Sequence, residues 1–206
     1  MNLFRVSVTF ILSLFLATFL FFLKFPLLVI ISTMFVFFLA FIALPQVFTI
    51  YRSNNLPSIE KFLIANQKKP IFAYPLAMAN GNHVEVEESL RAIIDKYKQP
   101  YMQNVYKTIL ALHLKNIEVA DTYAQRIDNE PLKSYYAAYV AAKKGNFEEA
   151  SKLEENINVD WMLHSLHALY AHEKGDQKEF EVESKKAISE SRGVQKYLAY
   201  HFFKNM

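Results

Sequence analysis

The residues best equipped for chemistry are His164, His167 and His172, with Glu173 beside the last. Imidazole nitrogens and carboxylate oxygens ligate divalent metals, but only where they converge on one point. On a helix, His164 and His167 share a face, whereas His172 falls well around the axis from His167, so the spacing brings two ligands together and leaves the site incomplete. His83 with Glu85, Glu87 and Glu88 has the residue types of acid–base work. At a helix start, however, carboxylates favour the dipole and need no further reason. With four glycines the chain has no phosphate-cradling loop, no G-x-S-x-G and no H-E-x-x-H. With no cysteine it has no disulfide, thiol nucleophile or Cys-based metal site. The expectation is a protein that is not an enzyme, with no catalytic residue, cofactor or metal.

The segments that would position these residues are set by a recurring turn. Ala142-Lys-Lys-Gly-Asn-Phe-Glu-Glu-Ala150 places a Gly-Asn pair between two alanine-rich runs. Glu173-Lys-Gly-Asp-Gln-Lys-Glu-Phe180 repeats it thirty residues on, and Leu114-Lys-Asn-Ile-Glu-Val-Ala120 precedes it by thirty, with Asn116 where Asn146 and Asp176 stand. A weaker copy, Ala79 to Val86, lies thirty-four residues earlier. A period near thirty is the mark of a helical repeat array. Helix starts return in phase at Gln99-Pro100, Glu130-Pro131 and Asp160, the last read as a cap. The spacing predicts helix pairs at about 71–80 and 83–97, 100–114 and 117–128, 131–144 and 147–157, and 161–174 and 177–190. Arg192-Gly193 breaks the chain, and a last helix, 194–204, carries Tyr197, Leu198, Tyr200, His201, Phe202 and Phe203 to close the end of a solenoid. No stretch alternates at period two, so no sheet is expected.

Lys144-Gly-Asn-Phe-Glu-Glu-Ala150 and Lys174-Gly-Asp176 resemble the inter-helix turn of tetratricopeptide (TPR-like) repeats over about residues 71–190. Ala150 and Ala120 fit the small position where that family's helices pack closest, and Ala138 and Ala168 supply small residues on first helices. The usual Trp, Leu and Gly early in the first helix are missing, Phe180 stands for Ala, Lys115 for Gly, and the period is thirty rather than thirty-four. The resemblance implies an inner surface of first helices that holds a peptide or partner segment: Met102, Val105, Ile109 and Leu112; Tyr135 and Tyr139; Met162, Ser165, Leu169 and His172. Spacings of three, four and seven place each set on one face. Such a stripe reads either as groove or as core, with Tyr135 and Tyr139 the foremost groove members because Tyr136 and Val140 can serve the core.

Ahead of the repeats, Leu3–Leu23 forms an apolar run long enough, at roughly 31 Å as a helix, to cross the hydrocarbon core. A second run from Leu27 to about Ile50 follows the Lys24-Phe25-Pro26 turn, with Pro45 kinking it or marking its exit. The reading is a two-span hairpin in residues 1–51, in preference to a signal peptide, which needs a shorter apolar core, or to a soluble helix pair, which two such runs would overwhelm. Arg5 precedes the first span, and Arg52, Lys61, Lys68 and Lys69 follow the second, so both termini and the repeat domain are expected in the cytoplasm. Residues 52–70 read as a juxtamembrane helix starting at Pro57 or Ser58. Its Lys68-Lys69 pair either touches anionic head groups or ends a solvated helix.

With Arg5 and Lys24 set aside from the 23 Lys+Arg, 21 basic residues face 20 Asp+Glu in residues 51–206. That balance excludes the footprint of a nucleic-acid binder. The fold class expected is all-α: a transmembrane hairpin (1–51), a linker helix (52–70), an α-solenoid of TPR-like repeats (71–192) and a capping helix (193–206). The function expected is a membrane-anchored protein–protein interaction scaffold, its partners a protein or peptide segment and the lipid bilayer, with no small-molecule substrate. The alternative is an accessory subunit of a membrane enzyme or transporter, whose spans pack on a catalytic partner. A membrane-bound hydrolase with an unrecognised site is a weaker third.

Overall fold

Each inter-helix turn is built the same way, and the turns set the architecture. In the computed structural model, which describes the backbone of residues 3–206 and the side chains from residue 6 onward, Gly81, Gly145 and Gly175 take φ of 66°, 79° and 74°. This left-handed conformation is open to glycine because it lacks a Cβ. The residue after each glycine caps the following helix: Asn82 accepts from Val84 and Glu85 N–H, Asn146 from Glu149, and Asp176 from Glu179. Asn116 caps likewise, accepting from Val119, after Lys115, which holds φ 57° in spite of its side chain. Four residues past each cap, Val86, Ala120, Ala150 and Phe180 are buried against the preceding helix.

The helices are α1 (Leu3–Phe22), α2 (Leu27–Tyr51), α3 (Leu56–Asn66), α4 (Pro70–Asn80), α5 (His83–Lys96), α6 (Pro100–His113), α7 (Ile117–Ala124), α8 (Leu132–Lys143), α9 (Phe147–Glu154), α10 (Asp160–Lys174), α11 (Gln177–Glu190) and α12 (Gly193–Lys204). There is no strand among the described residues. Helices α4 to α11 pack as successive pairs, an arrangement compatible with helical repeats. Asp160 is not the cap of α10 but its first residue, with Val159 at the boundary, and acts there through the helix dipole. Helix α3 is capped by Asn55, which accepts from Ser58 N–H, so it starts at Leu56, one to two residues before the Pro57 or Ser58 expected.

Among the described residues α2 is the one helix long and apolar enough to cross a membrane, with mean hydropathy 2.9 and only 6% of its most apolar stretch buried, where a soluble core helix would be mostly covered. Pro45 neither ends nor breaks it. The turn at Leu39–Ala43, just ahead of the proline, widens to a π-helix, and Gln46 Nε2 donates to the Ile42 carbonyl at 3.1 Å. The first expected span is shorter in its described side chains: the apolar helix runs Val6–Phe22 and packs along α2. Arg5, on which the orientation partly rests, lies outside the described side chains.

The last helix does more than cap an end. One side of α12 packs on α11, where Phe203 joins Phe180 and Ala187 of α11 and Ala168 and Ala171 of α10. Its other side meets the start of the array: Tyr197, 1% exposed, lies in a cluster with Ile59 and Leu63 of α3, and its hydroxyl donates to Glu60 at 3.4 Å. Asn205 donates to the Met78 carbonyl of α4 at 2.9 Å, and Gly193 N–H donates to the Ser53 carbonyl at 2.8 Å. The array is therefore joined end to end through α12.

Gly193 sits where a Cβ would run into the Ile50 carbonyl, whereas the space around Gly145 is open. Both have positive φ, so alanine costs about 1–2 kcal/mol at either, but at Gly193 overlap adds about 1–3 kcal/mol more. Thermal unfolding in detergent should therefore rank Gly193→Ala well below Gly145→Ala; equal midpoints would remove the close approach. His201, in the same seam, has its pKa lowered by burial and by Lys204, with Glu60 opposing. A lowered folded-state value means that its contribution is present above its unfolded pKa and is lost as pH falls through the folded one. Between pH 7.5 and 5, wild type should lose stability relative to His201→Gln; parallel curves would contradict the buried neutral imidazole.

Candidate functional site

The inner side of the joined array forms a partly open cavity of about 880 Å³, within the range of small-ligand pockets. Most of its wall comes from the first helix of each pair: Tyr74 and Met78 of α4, Tyr106 and Ile109 of α6, Tyr135, Tyr136 and Tyr139 of α8, and Trp161 and Ser165 of α10. Helix α12 adds Leu198 and Phe202, and the end of α2 adds Ile50 and Tyr51. The aromatic side chains support one another: Tyr135 meets Tyr136 and Trp161 with ring centres 5.1 and 5.8 Å apart, and Tyr74 meets Tyr106 edge-on at 6.4 Å.

The phenols are partly buried in the wall. Burial raises the Tyr106 and Tyr135 pKa values to about 12, and in Tyr135 the neighbouring Ser165 hydroxyl tempers the effect. Tyr74, Tyr136 and Tyr139 are pushed higher still, again mainly by burial. They remain neutral hydrogen-bonding groups at any physiological pH. No carboxylate lines the cavity, whereas Lys115, Lys143 and Arg192 do. Lys143 is anchored to Glu173 at 2.6 Å, and Arg192 is held by the carbonyls of Ser189 and Ser191. The interior thus suits an apolar segment with a neutral or anionic polar end.

Of the residues expected on an inner surface, Val105, Ile109, Leu112, Tyr135, Tyr139 and Ser165 line this cavity. Met162 and Leu169 instead lie in the core between α8, α9 and α10, with Ala138 and Ala150. Met102 is half-buried outside the lining, and His172 meets Phe180 with the rings tilted and their centres 5.7 Å apart, its Nδ1 3.6 Å from Glu173. Sequence spacing missed Ile50, Tyr51 and the α12 residues, because no local signal tells that the chain's two ends meet.

The histidines divide as helical spacing implies, with an addition from elsewhere. His164 and His167 share a face of α10 turned from the cavity, and Glu183 of α11 reaches them: its Oε2 is 2.6 Å from His164 Nδ1 and 3.6 Å from His167 Nδ1. Glu154 of α9 lies 3.0 Å from His167 Nε2, and Lys186 donates to Glu183 Oε1 at 2.6 Å. The Glu154 hydrogen bond raises the His167 pKa. Burial opposes the charge of Glu183, but Lys186 and His164 together hold its carboxyl below the usual range. His83 stacks on His113 at 5.4 Å, and Glu87 pairs with Arg91 at 2.8 Å, so that group forms no acid–base constellation.

Comparison with family models, curated proteins and solved structures finds no match.

Truncating two rings of the cavity wall separates structure from exposure. Tyr135→Ala with Tyr139→Ala should cost about 2–4 kcal/mol, because both rings also pack on the α8–α10 core. Acrylamide quenching of Trp161, the one tryptophan in the chain, should rise. A loss under about 1 kcal/mol would mark freely exposed residues.

Proposed function

We propose that this chain is a membrane-anchored interaction module whose ring takes up a short apolar segment of a protein partner at the cytoplasmic face. The observation that carries the reading is the tyrosine- and tryptophan-lined cavity with basic residues and no carboxylate on its wall. Tyr and Trp supply large contact areas at low conformational cost and donate hydrogen bonds to a bound backbone, which is why they concentrate at recognition surfaces. The tetratricopeptide-like turns support the same reading, since that family holds partner segments on its inner helices. In this proposal α1 joins α2 as a second span, and the basic residues Arg52, Lys61, Lys68 and Lys69 keep the termini and the ring in the cytoplasm. The cavity then opens beside the membrane exit of α2, since Ile50 and Tyr51 belong to its wall.

A second reading, the accessory subunit, draws on the uncovered apolar sides of α1 and α2, where Phe15, Phe21, Phe22, Leu27 and Leu28 are 71–79% exposed. Lipid or a membrane partner covers such a surface equally well. Replacing residues 1–50 by an unrelated hairpin preserves function if they are an anchor and abolishes it, despite insertion, if they recognise a partner.

The test of the main reading is site-specific photocrosslinking in intact membranes. A photoreactive residue at Tyr139 should yield a discrete protein adduct whose mapped peptide is apolar, and the same probe at exposed Lys178 should not. Equal adducts from both positions, or adducts with lipid alone from Tyr139, would overturn the proposal.

A further inference from the structure

We propose that His164, His167 and Glu183 form a binding site for a divalent transition-metal ion of the zinc class. One ligand atom from each of the three lies within 4.8 Å of the others, so modest side-chain rotation closes them on a common centre. Two imidazole nitrogens with one carboxylate oxygen suit zinc, cobalt or nickel; magnesium and calcium ask for oxygen alone, and copper(I) for sulfur.

The surroundings support coordination beyond mere proximity. Glu154 sits 3.0 Å from His167 Nε2 and accepts its proton, which directs the Nδ1 lone pair of His167 toward Glu183 Oε2. A carboxylate holding the far nitrogen of a histidine is the usual outer support of a metal ligand, fixing both tautomer and ring orientation. Lys186 occupies Glu183 Oε1 and leaves Oε2 to face the imidazoles. The Glu183 side chain is 5% exposed, so its position is fixed by packing.

Three helices contribute, α9 through Glu154, α10 through both histidines and α11 through Glu183, so a bound ion ties the last repeat pair to the one before it. His164 and His167 keep 28% and 42% of their side-chain surface exposed, so the fourth position faces solvent and takes water or an external ligand. His167 already offers its Nδ1 lone pair, whereas the Nδ1 proton that His164 shares with Glu183 is released to solvent when the ion enters.

The full chain in detergent, with any histidine tag removed, is titrated with Co²⁺ at pH 7.5 and read by visible absorption. One equivalent should give the intense ligand-field bands of a four- or five-coordinate ion, and Zn²⁺ should displace them. His164→Asn with His167→Asn should abolish the bands, whereas His83→Asn with His113→Asn should leave them unchanged. Glu154→Gln should weaken binding by about 10–100-fold. Circular dichroism of each variant checks folding, and the wild-type titration decides by itself if the histidine variant unfolds. A pale six-coordinate spectrum, binding without defined stoichiometry, or binding that survives loss of both histidines in a folded protein would overturn the site.

Discussion

The ring stands on one backbone contact: Gly193 lies against the Ile50 carbonyl with no room for a Cβ, and its N–H donates to the Ser53 carbonyl. A solenoid ordinarily ends in two faces that cannot bury themselves, and each needs a polar cap. Here the two faces bury each other. Helix α12 fits because its sides are both apolar, Phe203 toward α11 and Tyr197 toward α3, and the close approach at Gly193 brings its first turn down onto the exit of α2. Buried aromatic side chains such as Tyr197 contribute on the order of 1.5–3 kcal/mol each, so the seam is a substantial part of a domain whose net stability is small.

Closure changes what the inner surface is. In an open array the first helices present a groove along its length; here they and α12 line a single cavity whose phenols stay neutral and whose wall, among the described residues, carries no carboxylate. It also places the end of the apolar α2 helix in that wall through Ile50 and Tyr51, so the position of that helix and the shape of the cavity are linked. The His164–His167–Glu183 group lies on another face of α10 and acts between repeats, independently of what the cavity holds.

The repeat punctuation was legible because each residue in it has a local reason. Asn116, Asn146 and Asp176 cap helices with their own side chains, and Gly145 takes a backbone angle that few other residues tolerate. Lys115 shows how a departure from the pattern is absorbed: it takes the glycine conformation at φ 57°. Phe180 shows how another is used, since in place of a small residue it reaches Phe203 of the closing helix, ring centres 6.1 Å apart. What the sequence could not show depends on pairing across distance. Tyr197 meets Glu60 across 137 residues, and Glu183 joins His164 from the next helix, where no spacing rule relates them. Helical periodicity assigns a face to each side chain but not the element opposite, so Leu169 and Tyr139 read alike although one is core and the other lines the cavity.

Because the chain has no cysteine, spin labels can be placed at Lys61 of α3 and Lys204 of α12 alone, and their separation measured by pulsed electron resonance in the full chain in detergent. A joined ring gives one narrow, short distance distribution, which broadens and lengthens in Gly193→Ala. A broad or long distribution in the otherwise unmodified chain would show the array open, and the α12 wall of the cavity would not exist.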